Sequence, residues 1–263
     1  MKLYTFSYKD TLTLCRLEEQ IIKKYSKVSF VNDPADAEYI FAVGGDGTIL
    51  AAKDLAIQHN LPIISVNLGT LGFLASAETL EIVFDALLTQ PPADYVVKRK
   101  LVNLVTVPEV RGQAITTVGN ALNEIVISHK ERGKLMNLTV VINDEEIIFS
   151  CDSLIISTPV GSTAYNLSAG GSIIHPDLPV IILTPVAPFS MSARSIIIPE
   201  HWAINIVSKD DLFMVFDGHG AITVPAEPKR GIVVKDSVSL IRIDDMFFKS
   251  IQEKLKWNMP IKH

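Results

Sequence analysis

The sequence predicts an α/β domain with a mostly parallel sheet, followed by an all-β, sandwich-like domain. Three observations predict it. Strand-like and helix-like segments alternate from Lys2 to about Pro92. After Gln90-Pro91-Pro92 the pattern changes to one short strand after another. Apolar residues make up 48 % of 263 residues, enough to bury sizeable cores. The expected boundaries are 1–95 for the α/β domain, 96–245 for the β-rich domain and 246–263 for a tail that packs back on the first domain.

In chain order, Leu3 to Ser7 reads as a first strand. Leu14, Leu17, Ile21 and Ile22 mark one face of a helix from Leu12 to Tyr25. Val28 to Val31 is a short strand. The run Tyr39-Ile40-Phe41-Ala42-Val43 has no polar alternation, as expected of a strand buried on both faces. Thr48 opens a helix through about Gln58, Pro62 to Val66 is another buried strand, and Glu78 to Leu88 is a further helix. Such alternation implies right-handed crossovers and a parallel sheet.

The second half offers strands at Leu101 to Val107, Glu124 to Ser128, Leu138 to Ile142, Glu145 to Phe149, Leu154 to Ser157, Val180 to Leu183 and Ser195 to Ile198. Ala203 to Val207, Leu212 to Phe216, Ala221 to Val224, Gly231 to Val234 and Ser237 to Ile243 complete the set. Asn143-Asp144 and Asp217-Gly218 signal hairpin turns. Many short strands at this spacing predict a sandwich. In the tail, Phe247, Phe248, Ile251 and Leu255 share one helical face. Trp202 and Trp257 read as packing residues.

The charge balance is mildly acidic, 24 − 29 = −5. It argues against nucleic acid or an anionic membrane as partner, since both need a basic surface. Cys15 and Cys151 are far apart and fit reduced thiols in a cytoplasmic protein rather than a zinc knuckle or disulfide framework. The start MKLYTFSYKD lacks the apolar core of a signal peptide, and no apolar run reaches the length of a spanning helix. His59, His129, His175, His201, His219 and His263 show no metal-ligand spacing; His219, beside Asp217-Gly218, is the one of interest.

Chemistry concentrates in two motifs. Gly44-Gly45-Asp46-Gly47-Thr48 lies between a buried strand and a helix. Its glycines let backbone N–H groups approach a ligand, and the helix adds its positive N-terminal end, which together make a phosphate cradle. Asp46 is out of place among phosphate-binding amides unless it has other work. It could hold Mg²⁺ or take a proton from an attacking hydroxyl, or simply cap the helix. Neither G-x-x-x-x-G-K-[ST] nor G-x-G-x-x-G occurs. The second motif runs from Thr158 to Gly171, with Pro159 and Gly161 shaping a turn, and Ser162 and Thr163 offering hydroxyls and N–H groups. Tyr165 supplies an aromatic face suited to stacking, or else a core tyrosine. Between the motifs, Asn123-Glu124 could read an adenine edge or a ribose diol, or simply begin a strand.

These residues carry a resemblance. GGDGT at 44–48, Asn67-x-Gly69-x-x-Gly72-Phe73, Asn123-Glu124, TPxGSTAYxxSxGG from Thr158 to Gly171, and Thr184-Pro185-x-Ala187-Pro188 ending in Arg194 resemble, in this order, the NAD kinases. The likeness runs from about Ile40 to Gly218. GGDGT is shared with diacylglycerol and sphingosine kinases; the TPxGSTAY block is much more specific.

The resemblance implies a phosphotransferase with an alcohol acceptor, moving the γ-phosphoryl of ATP, or a unit of polyphosphate, to the 2′-hydroxyl of the adenosine ribose of NAD. The product is NADP. It implies Mg²⁺ or another divalent ion, and a homodimer or homotetramer. Asp46 would be the general base. Gly44, Gly45, Gly47 and Thr48 would line the phosphate-donor site, with Gly47 also near NAD. Phe73 would lie beside the adenine pocket, and Asn123 and Glu124 would bind the adenosine ribose. Thr163, Ala164, Tyr165 and Ser168 would contact the dinucleotide, partly from a neighbouring subunit, with Asp152 and Ala187 close to the nicotinamide. The chain departs from the family pattern at Phe149-Ser150-Cys151-Asp152-Ser153, where many members read R-x-D-G, and at Phe189, where many have His. The competing readings are a lipid kinase of the diacylglycerol or sphingosine type, which leaves TPVGSTAY unexplained, and a non-catalytic dinucleotide sensor, which leaves Asp46 unexplained.

Overall fold

The computed structural model describes residues 1–66, 72–77, 79–106, 114–131, 133–226 and 230–256. Asn67 and Gly69 of the motif before Phe73, the strand end at Val107, the helix start at Glu78, Trp257 and His263 lie outside the described residues. The chain forms two compact units: Met1–Arg99 with Ser237–His263, and Lys100–Asp236.

The elements follow in order β1 (Lys2–Ser7), α1 (Thr11–Lys24), β2 (Ser29–Phe30), β3 (Tyr39–Val43), α2 (Asp46–His59), β4 (Ile63–Val66), α3 (Leu80–Thr89), β5 (Val96–Thr106), β6 (Thr117–Ala121), β7 (Glu124–His129), β8 (Met136–Ile142), β9 (Glu145–Cys151), β10 (Ser153–Ser157), α4 (Tyr165–Ser168), β11 (Val180–Val186), β12 (Ile196–Pro199), β13 (Ile204–Val207), β14 (Leu212–Phe216), β15 (Gly220–Val224), β16 (Arg230–Ile241) and α5 (Phe247–Leu255).

In the first unit the strands run β2-β1-β3-β4 and then residues 237–241 of β16, every pairing parallel. The continuous apolar run of β3 and the four residues of β4, apolar but for Ser65, are buried throughout. Tyr39, Phe41 and Val43 of β3 share a core with Ile21 of α1 and with Val83, Phe84 and Leu87 of α3. Strand alternation turns Ile40 and Ala42 to the opposite face. The chain leaves β1 toward β2 on one side and reaches β3 on the other. This is a topological switch point, where open α/β sheets bind ligands beyond the carboxyl ends of their strands. The turn at 44–48 sits at the carboxyl end of β3.

The second unit is antiparallel. One sheet runs β12-β11-β10-β7-β14-β15. Opposite it stand β9, β8, β13 and residues 230–236 of β16, with β5 paired to β6. Ile125, Leu154 and Met214 from the first sheet and Leu138, Val140 and Ile204 from the second fill one core, which makes the unit a sandwich. Asn143-Asp144 and Asp217-Gly218 turn their hairpins with positive φ at both residues, as the right-handed strand twist demands.

Four sequence expectations need correction. Gly231 to Val234 and Ser237 to Ile243 are a single strand, β16; Asp236 at the break has φ 56° yet pairing continues around it. β6, with Gly119 and Asn120 in its middle, lacked the apolar alternation that announces a strand. In α5, Phe247 and Ile251 are buried with Ser250, while Phe248 and Leu255 face outward. Trp202 is partly exposed rather than a core residue.

Candidate active site

The turn after β3 is built by packing at one end and left open at the other. Gly44 donates its N–H to Val66 O at 2.9 Å, and a Cβ on Gly44 would run into the Thr48 side chain, which is buried. Glycine is therefore required there by the fold. At Gly45 and Gly47 a Cβ would meet nothing within 4 Å, and both residues are exposed. Gly45 is the N-cap of α2 and supplies no side-chain cap. Of the first-turn N–H groups of α2, that of Thr48 donates to Gly45 O at 2.9 Å, and no side chain at 45 or 47 stands over the helix start, where the leading N–H groups have no acceptor within the helix.

α2 begins at Asp46, two residues ahead of the helix start read from Thr48. Asp46 does not cap α2. Its Oδ2 accepts from the Phe73 N–H at 3.1 Å and its Oδ1 from the Leu74 N–H at 3.2 Å. The carboxylate lies so close to Gly72 that a Cβ there would strike Oδ1. The segment 72–76 is itself fixed. Ser65 of β4 takes the Ser76 hydroxyl on its N–H at 2.8 Å and donates its own hydroxyl to Leu74 O at 2.8 Å. The Arg242 guanidinium donates to Phe73 O at 2.9 Å, and the Ser76 carbonyl accepts from Ile243 N–H at 2.9 Å. A third partner arrives from α5: Lys254 Nζ lies 3.0 Å from Asp46 Oδ2 and 4.6 Å from the centre of the Phe73 ring.

In the second unit, the Thr158–Gly171 segment is mostly architecture. A Cβ on Gly161 would strike the Asn123 carbonyl, so glycine lets the turn press on that backbone. Asn123 O accepts the Thr158 N–H at 2.8 Å, and Thr158 Oγ1 donates to Leu122 O at 2.5 Å. Ser162, read from sequence as offering a hydroxyl and an N–H at the turn, is fully buried and exchanges bonds with Ile174 O and N–H at 3.1 and 3.0 Å. Asn166 is equally buried. It donates to Ser162 O and Ser172 O and accepts from Thr184 Oγ1 at 2.6 Å. Of the residues expected to contact the dinucleotide, Thr163 and Ala164 are half-buried, and Tyr165 and Ser168 are exposed.

Asn123 and Glu124 are buried at the start of β7. The Asp217 carboxylate, also buried, clamps the chain just before them, accepting from the N–H groups of Leu122 at 2.9 Å and Asn123 at 2.7 Å. Burial, and secondarily the charge of Asp217, push the Glu124 carboxyl up to about 7. Glu124 Oε2 is buried with no hydrogen-bond partner among the described residues, an unmet acceptor of the kind that a ligand O–H or N–H satisfies. Asp152 and Ala187 are neighbours: the Asp152 N–H donates to Val186 O at 3.1 Å, and Ala187 holds a left-handed φ of 46°. Both are exposed. At the departures from the family pattern, Ser150 Oγ donates to Asn137 at 2.6 Å, Cys151 is in the core, and the Phe189 side chain is exposed.

Within the first unit the structure brings Gly44, Gly45, Asp46, Gly47, Thr48 and Phe73 together. Within the second it joins Asn123 and Glu124 to the 158–161 turn. Sequence reasoning missed Asp217, which it read only as a turn residue, and Lys254. A Lys in the last turn of an amphipathic tail is ordinary, so no sequence signal singled it out.

The family model for the ATP-NAD kinase N-terminal domain matches residues 4–90, and that for the ATP-NAD kinase C-terminal domain matches residues 122–242. The NAD kinase of Lachnoclostridium phytofermentans is 35 % identical over 243 residues, 88 % of this chain and 83 % of its own. That of Heliobacterium modesticaldum is 33 % identical over 230 residues, covering 83 % and 78 %. Among solved structures, an NAD kinase from Archaeoglobus fulgidus in complex with ATP superposes with a TM-score of 0.77 at 25 % identity, over 97 % of this chain and 99 % of that one. Yeast NADH kinase complexed with NADH superposes with a TM-score of 0.81 at 20 % identity, over 100 % and 89 %, a likeness of fold.

Proposed function

This chain belongs to the ATP-NAD kinase family, and on that premise we propose that it transfers the γ-phosphoryl of ATP to the 2′-hydroxyl of the adenosine ribose of NAD, giving NADP. The observation that carries the reading is the open helix start of α2, where Gly45 and Gly47 place no side chain over the first turn beside a fixed carboxylate.

In this reading Gly44, Gly45, Gly47 and Thr48 form the donor site, and the α2 N-terminus carries part of the phosphate charge. Asp46 takes the 2′-hydroxyl proton while the new O–P bond forms and the bond to the β-phosphate bridging oxygen breaks, the electron pair leaving with ADP. Gly47 and Phe73 serve NAD from the first unit. From the second, Asn123 and Glu124 take the adenosine ribose, and Oε2 of Glu124 gains the donor it lacks. Thr163, Ala164, Tyr165 and Ser168 contact the dinucleotide, and Asp152 and Ala187 the nicotinamide end. Among the described residues no group of three or more His, Cys, Asp or Glu is placed to hold a metal ion. In this proposal Mg²⁺ enters with the substrate, chelated by the ATP phosphates. No helix among the described residues is long and apolar enough to cross a membrane. A cytoplasmic homodimer or homotetramer completes the proposal.

The test incubates the protein with MgATP and NAD and reads NADP with an NADP-specific dehydrogenase. Parallel arms replace ATP by polyphosphate and NAD by NADH. Absence of phosphorylated dinucleotide in every arm sinks the reading, and label transfer from ATP to diacylglycerol instead would put a lipid kinase in its place.

A further inference from the structure

The geometry points to Lys254 as a positioning residue for the phosphoryl-transfer step, holding the Asp46 carboxylate aimed with one acceptor site left for the hydroxyl proton; this rests on the kinase reading above. α5 presents Phe247, Ser250, Ile251 and Lys254 on one face, at helical spacing. Phe247 and Ile251 are buried, and Ser250 Oγ donates to Gly72 O at 3.4 Å, so the helix is docked on the segment that also binds Asp46. Its last turn sets Lys254 Nζ 3.0 Å from Asp46 Oδ2, with side-chain exposures of 30 % and 28 %. The Phe73 ring lies under the ammonium at 4.6 Å and keeps it from swinging away on that side.

The hydrogen-bond arithmetic gives this pair its purpose. A carboxylate offers about four acceptor sites. The Phe73 N–H, the Leu74 N–H and the Lys254 ammonium take three. That fixes the side chain and leaves room for a substrate hydroxyl. The two backbone amides each hold one oxygen, and the ammonium adds a second, charged contact on Oδ2 that the amides cannot supply. The other charged groups around Asp46 have partners of their own. On α2, Lys53 lies 3.8 Å from Asp54. At the end of β16, Arg242 binds Phe73 O at 2.9 Å and lies 3.8 Å from Asp245. The 72–76 segment offers Asp46 backbone groups only. On α5 itself Lys249, Glu253 and Lys256 are exposed.

The experiment compares wild type, Lys254→Met and Lys254→Arg by kcat, by KM for NAD and for MgATP, and by Tm. Lys254→Met is expected to lower kcat by about 10- to 100-fold, the scale of a displaced catalytic group, with both KM values held within about threefold. Lys254→Arg keeps the cation and restores kcat. The inference is overturned by three results: a Met variant with unchanged kcat, a loss confined to KM for MgATP, or equal losses in Met and Arg tracking a fall in Tm. If the wild type makes no NADP, the kinase reading fails by itself. The pair is then read by the ¹³C signal of the Asp46 carboxyl at neutral pH, where a displacement in Lys254→Met that Lys254→Arg reverses supports the contact and an unchanged signal ends it.

Discussion

The turn at 44–48 and the segment at 158–171 look alike in sequence, both dense in glycine and small polar residues after a buried strand, yet they spend those residues differently. In the first, Gly45 and Gly47 face open space and the helix start is uncapped. In the second, Gly161 and Gly171 are filled from behind by Asn123 and Asn166, and Thr158, Ser162 and Asn166 are buried and bonded within the chain. A small-residue motif therefore has two physical origins: room for a ligand, or room for the protein's own backbone. The distinction lies in what stands where the missing Cβ would be.

The largest effect is expected at the open turn. Asp46→Asn should lower kcat by about 10²- to 10⁴-fold, the usual scale for a lost general base, while NAD still binds. Asn also offers one oxygen where two N–H groups and Lys254 need acceptors, so a fall in Tm should accompany it. Steady-state kinetics with a separate NAD titration checks this; near-normal turnover would remove Asp46 from the base role.

The second effect belongs to the closed region and is pH-dependent. Glu124 is held up at about 7, against an ordinary value of 4.5. A raised carboxyl means that the folded state keeps its proton while the unfolded chain has lost it. Stability is therefore lost as pH rises from about 4.5 to about 7, by about 3 kcal/mol at about 1.4 kcal/mol per unit. Glu124→Gln never ionises. It should melt higher than wild type at pH 8 and level with it below about pH 4.5, while binding NAD more weakly. A pH series of denaturant melts checks the sign; a variant less stable at pH 8 refutes it.

How much of this was legible depended on whether a feature was local. The parallel sheet was legible because β3 and β4 are apolar on both faces, which only a covered sheet permits. The two hairpin turns were legible because Asn143-Asp144 and Asp217-Gly218 tolerate positive φ. The strand β6 was hidden because Gly119 is there to admit the Phe216 ring, a contact far away in sequence. For the site, the glycines and Asp46 announced themselves by type and spacing. Asp217 and Lys254 did not, because their work consists of reaching Leu122 and Asn123, or Asp46, across most of a unit's sequence. Ser162 was legible only as a hydroxyl at a turn: it is turned inward to Ile174, and nothing local says so.

Two glycine substitutions put the comparison to its plainest test. Gly161→Ala drives a methyl into the Asn123 carbonyl, which already accepts the Thr158 N–H. Backbone cannot yield as a side-chain end can, so the variant should lose about 1–3 kcal/mol, the range for an overpacked interior. Gly47→Ala adds the same methyl in the second position of α2, where nothing lies within 4 Å. Alanine is the better helix former, so stability should hold or rise by up to about 0.5–1 kcal/mol. The same methyl then stands where the donor phosphates approach, and KM for MgATP should rise by about three- to tenfold, within about 1.4 kcal/mol of binding. Denaturant melts and initial rates on the two variants separate the cases. If Gly47→Ala destabilised the fold, or left KM for MgATP unchanged, the open side of the turn would not be a ligand's place.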